Sequence, residues 1–127
     1  MTKSNGDLVP PGDGAPESAL TKAVRSAVTC AVQCTSCADA GVEEVMSLPQ
    51  HLRDGPEVGS VCEALAWLAT RQSGTNEAVI KGMLEACATA CERRVQFCAG
   101  FEHPHCSQSV QSAEECARDC RAALEAF

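Results

Sequence analysis

Leu84–Cys120 reads LEACATACERRVQFCAGFEHPHCSQSVQSAEECARDC. Cys87, Cys91 and Cys98 recur in it at steps of four and seven residues, which keep side chains on one face of a helix. After His103-Pro104-His105 a second stripe follows, made of Cys106, Cys116 and Cys120. Upstream, Cys30, Cys34 and Cys37 repeat the pattern, and Cys62 stands alone between the first stripe and the next. Ten cysteines in 127 residues thus lie largely on helical faces, as ligands turned toward a common interior would.

The spacing of breakers around these stripes predicts four helices. Residues 1–17 carry Pro10, Pro11, Pro16 and three glycines and read as a disordered N-terminal tail, leaving 18–127 as one bundle domain. Ser18 is the expected cap of a helix over about 18–48, ended by Pro49 and the Arg53-Asp54-Gly55-Pro56 turn. Helices over about 57–72, 76–100 and 105–125 follow, the third capped by Thr75 or Asn76. Short connections favour antiparallel neighbours, so the fold class is all-α, an up-down-up-down four-helix bundle with a cysteine-lined core. At about 100° per residue the second helix turns Val58, Cys62, Leu65 and Ala69 inward, and the third Ile80, Leu84, Cys87, Cys91, Arg94 and Cys98.

Composition excludes several functions. A net charge of −7 and a pI near 4.8 argue against nucleic acid as a partner, because phosphates need clustered Lys and Arg. No window approaches the roughly 18 apolar residues of a membrane span, and the N-terminus lacks the apolar stretch of a secretory signal. The expected location is therefore cytoplasmic. No Ser-His-Asp order, paired carboxylates or phosphate loop stands out, so the reading is binding and not an enzyme. Cys106 beside His103 or His105 is the one conceivable nucleophile, and nothing orients such a pair.

In a reducing compartment abundant cysteine points to metal or redox chemistry more than to structural disulfides. A pair at i and i+4 on one helix has nearly parallel Cβ vectors, a poor geometry for an S–S bond, although bridges between helices stay open. Plain packing accounts for one or two buried cysteines, not for ten. Thiolates favour Cu(I), Zn(II) or an iron–sulfur cluster. Structural zinc sites favour paired Cys-x2-Cys spacings, and here only Cys34 and Cys37 have one, so several Cu(I) ions between helices fit better than one tetrahedral site. The candidate metal ligands are Cys30, Cys34, Cys37, Cys62, Cys87, Cys91, Cys98, His103, His105, Cys106, Cys116 and Cys120, with the two histidines at one end. His51 and Met46 fall at that end too, an imidazole and a thioether that could join the ligands, though a solvated loop residue and a packing residue are their plainer readings.

The register of Cys87, Cys91, Cys98, His103, His105, Cys106, Cys116 and Cys120 resembles that of the cysteine-rich four-helix-bundle copper-storage proteins, over most of residues 27–124. The resemblance implies an antiparallel bundle with a thiol-lined bore, Cu(I) as cargo, histidines at an open mouth and a homotetramer, of the cytosolic branch. It also implies further cysteines where this chain has Gly41, Val58, Arg94, Ser109 and Ala113, so the expected function is storage or buffering of reduced capacity. Antiparallel folding is expected to put Cys30, Cys34, Cys87, Cys91, Cys116 and Cys120 at the closed end. Cys37 and Cys62 fall midway, and Cys98 and Cys106 near the mouth.

Arg94 on the core face needs a carboxylate or carbonyl partner if buried, or else snorkels outward. Trp67 lies opposite Cys62 and Leu65 on its helix, as a subunit-interface anchor or under the N-terminal tail. Zinc, an iron–sulfur cluster, a disulfide or redox scaffold and a metal-free partner-binding module are the alternatives to copper.

Overall fold

The Ser18 cap forms as the sequence predicts. Its Oγ accepts from the Thr21 backbone N–H at 3.1 Å and its carbonyl from the Lys22 N–H at 3.0 Å, which fixes the start of the first helix. The structure, a computed structural model, describes residues 18–43, 49–71, 75–98 and 104–127. Four helices result: α1 Ala19–Glu43, α2 Pro49–Ala69, α3 Glu77–Cys98 and α4 Pro104–Ala126. The predicted tail of residues 1–17 and the predicted end of α1 at Leu48 lie outside the described residues.

The second helix corrects the sequence reading, which starts it near Glu57. It begins at Pro49 and runs through Pro56, so the segment expected to turn is helical. Proline at a first helical position lacks only an N–H that has no intrahelical partner anyway, and its fixed φ is helical. Pro56 removes one ladder bond but its carbonyl stays engaged, accepting from Ser60 Oγ at 3.0 Å. The fourth helix likewise opens on a proline, Pro104, one residue earlier than predicted. Asn76 caps α3 as expected, with its carbonyl taking the Ile80 N–H at 3.0 Å.

Each helix packs on its two chain neighbours, and α4 closes the ring onto α1. Short links make this an antiparallel up-down-up-down bundle. Its interior is built from small residues: alanines and cysteines make up most of the buried core. Small side chains let helices approach closely, and Gly59 is one such point, where an added Cβ would lie 2.9 Å from Thr35 Oγ1. At the end holding the α1 and α3 N-termini, Leu20, Leu65, Ile80 and Leu84 are fully buried and form an aliphatic floor. Above that floor the core turns to sulfur. No described helix is long and apolar enough to cross a membrane.

Candidate metal centre

The cysteine stripes reach the interior from all four helices because the i, i+3/i+4 repeat fixes them on the faces that pack. The nine cysteines whose side chains are described are all free and buried: Cys30, Cys34, Cys62, Cys87, Cys91, Cys98, Cys106, Cys116 and Cys120. Seven of them form one connected cluster. Cys30 Sγ lies 3.7 Å from Cys34 Sγ on the same helix and 3.8 Å from Cys91 Sγ across the core. Cys87 Sγ is 3.6 Å from Cys62 Sγ and 3.7 Å from Cys116 Sγ, and Cys116 continues to Cys120 at 4.0 Å. The two chains of contacts meet where Cys30, Cys62, Cys91 and Cys116, one from each helix, all lie within 4.8 Å of one another. Cys87, Cys116 and Cys120 form a second group, so Cys116 belongs to both.

Cys62 is a correction. The sequence reading puts it midway along the bore with Cys37, whereas it sits inside the closed-end cluster. The cause is the early start of α2: counted from Pro49, Cys62 is two-thirds of the way to Ala69, level with Cys30 and Cys91. The closed-end set therefore contains seven thiols. Cys98 and Cys106 are buried further toward the other end, outside the close-packed groups found among the described residues. Cys37 and His105 lie on α1 and α4 and His51 on α2, but their side chains, like all of His103 and Met46, fall outside the described residues.

Sulfurs about 4 Å apart suit a shared metal, because metal–sulfur bonds near 2.3 Å place two ligands of one ion at that separation. The cluster is also crowded enough to bias ionisation. Hydrogen bonding led by the Cys116 thiol draws the Cys30 and Cys87 thiols below their ordinary value of 9.0. Cys116 pushes Cys62 and Cys91 up, and Cys120 does the same to Cys116. Cys120 is drawn down by Cys116 but pushed up further by Cys87 and burial. Cys34 is pushed up by its hydrogen bond with Cys30 and by burial, against a downward pull from the Arg94 charge. Ionisation is thus biased unevenly across the cluster, and an incoming metal must displace the protons that its thiols retain.

Arg94 does not snorkel. It is fully buried, the largest such side chain, and its Nε donates to Ser109 Oγ at 3.1 Å. Ser109 Oγ in turn lies 3.4 Å from Cys34 Sγ. One of its partners is thus a hydroxyl, because Ser109 occupies the facing register position on α4. A second polar link, partly buried, runs from Ser26 Oγ, the donor, to Asp119 between α1 and α4. Trp67 faces away from the core as predicted, 66% exposed, and lines a surface groove of about 860 Å³ with Val28 and Val32 of α1.

Known proteins share this arrangement. Residues 16–125 match the sequence profile of a family described as copper storage protein. A cytosolic copper storage protein of Streptomyces lividans, solved during copper loading with five coppers, is similar in structure. The TM-score is 0.81 at 30% identity, over 86% of this chain and 94% of that one. The copper storage protein Ccsp of the same organism, loaded with 10 copper equivalents, gives a TM-score of 0.82 at 29% identity, over 98% and 100% of the two chains. A cysteine-rich Bacillus subtilis protein, YhjQ, is 26% identical over 98 residues, covering 77% of this chain and 89% of the relative.

Proposed function

The chain belongs to the copper storage protein family, and on that premise we propose that it takes up Cu(I) on its interior thiolates and holds it in the cytoplasm as a store or buffer. The observation that carries this reading is the set of seven free thiols, three and four of them linked at contact distances of 3.6–4.0 Å and the two groups meeting within 4.8 Å. A soft monovalent ion suits such a run, because Cu(I) is satisfied by two or three thiolates and each sulfur can serve neighbouring ions. Uptake is ligand exchange: a thiol gives its proton to solvent as its sulfur bonds copper, so binding strengthens as pH rises. His103, His105 and Cys106 capture the ion at the open end, and deeper thiolates retain it. Storage needs no turnover chemistry.

Zinc is the second reading. Cys30, Cys62, Cys91 and Cys116 supply four thiols within 4.8 Å of one another, the composition of a closed zinc site. Cys34, Cys87 and Cys120 at the edges of that group favour copper, because a single tetrahedral ion leaves them unused. The likeness to the storage family further supports a homotetramer, and the exposed apolar face of Val28, Val32 and Trp67 is the surface suited to subunit contact. Anaerobic Cu(I) titration of fully reduced protein against a competing chelator tests the storage reading. We expect several ions per chain; an endpoint at or below one ion, or displacement of copper by zinc, overturns it.

A further inference from the structure

The layer above the seven-thiol cluster is lined differently from the cluster itself. Arg94 lies one helical turn beyond Cys91 and one before Cys98 on α3. Ser109 lies one turn beyond Cys106 on α4, and Val58 one turn before Cys62 on α2. All three are buried and none is a thiol. Through Nε to Ser109 Oγ at 3.1 Å, and from that oxygen to Cys34 Sγ at 3.4 Å, the side chain joins α3, α4 and α1 across the interior. A permanent cation thus lies in the buried layer between the inner cluster and Cys98 and Cys106.

We propose that Arg94 is a cationic gate that divides the bore into two copper compartments, a retained inner store on the seven clustered thiols and a fast-exchanging outer pair at Cys98 and Cys106. This rests on the storage reading and adds to it a residue that sets the rate of exchange. The physical grounds are charge and volume. A monovalent cation moving along a low-dielectric passage meets a fixed like charge, which raises the barrier far more than it would in water. The guanidinium also fills the cross-section that a thiol would leave open, and its hydrogen bond to Ser109 holds it there. Copper passes only when the side chain swings aside, so inner copper leaves slowly while outer copper exchanges freely. The same contacts keep Arg94 from binding metal itself, since a guanidinium has donors and no lone pair to offer.

The test is chelator removal from copper-saturated, reduced protein, followed by stopped-flow absorbance alongside the copper count at saturation. The native chain should release copper in two phases. Arg94→Leu, which removes the charge and adds no copper ligand, should speed the slow phase about tenfold or more, with the copper count retained. Arg94→Lys should restore slow release. Ser109→Ala, which removes one hydrogen bond of the gate without touching its charge, should give an intermediate rate and supplies a second measurement if Arg94→Leu does not fold. A full copper count with a slow phase unchanged in both Arg94→Leu and Ser109→Ala overturns the gate alone, as does Arg94→Lys releasing as fast as Arg94→Leu. A count at or below one ion overturns storage and gate together.

Discussion

A buried thiol differs from an exposed one mainly in what it costs to remove its proton, and the seven clustered cysteines divide on that point. Cys34, Cys62, Cys91, Cys116 and Cys120 have raised values, Cys30 and Cys87 lowered ones. A thiol raised in the folded state contributes stability that is present below its unfolded value and is lost as pH climbs toward the folded one. Above the ordinary value of 9.0 the unfolded chain sheds protons that the five raised thiols of the fold retain, so the raised set outweighs the lowered pair. Reduced, copper-free protein should therefore melt at a lower temperature at about pH 10 than at about pH 8; equal melting temperatures would contradict this ionisation pattern. Cys116 is the residue with the widest reach, since it belongs to both thiol groups. Cys116→Ser should lower the copper count by more than Cys98→Ser does, read as ions per chain at the chelator-competition endpoint. Sequence periodicity was enough to place these cysteines inside. It did not pair Arg94 with Ser109, fifteen positions away, because the distance between facing residues depends on how two helices slide past each other.

At the level of helices, caps were legible and prolines were not. Ser18 and Asn76 act as the sequence predicts because a capping bond is local. Pro49 and Pro56 mislead because a proline announces a missing N–H without saying whether the surrounding contacts compensate for it. In α2 they do, through the buried face of Gly55, Val58, Cys62 and Leu65. This one misplaced start also shifted Cys62 by a layer in the expected cluster. Pro56→Ala restores a ladder donor within α2 and should stabilise the copper-free bundle by about 1 kcal/mol or more, measured by urea unfolding. A destabilisation would mean that Pro56 is needed for the packing that brings Cys62 against Cys87.

For the molecule as a whole, the up-down-up-down order followed from four amphipathic segments and short links, and the ring of packed neighbours agrees with it. The outer surface was less legible, because apolar residues on a solvent face read alike whether they meet water or another chain. Val28, Val32 and Trp67 are 49%, 62% and 66% exposed along one groove of α1 and α2. Trp67→Asp should lower the mass seen by light scattering, and an unchanged mass would rule out this face as the contact. The interior bears on the lifetime of the protein as well. Alanine and cysteine bury little apolar area, and the aliphatic floor of Leu20, Leu65, Ile80 and Leu84 lies at one end. Metal held between sulfurs of four helices, as proposed above, would supply further cross-links and stabilise the fold by mass action. The empty chain should be cut by a protease markedly faster than the filled one, on a gel time course, with equal rates as the contrary result. In a cell such a difference would clear empty carriers first and leave the loaded pool behind, so abundance would follow copper supply without any change in synthesis.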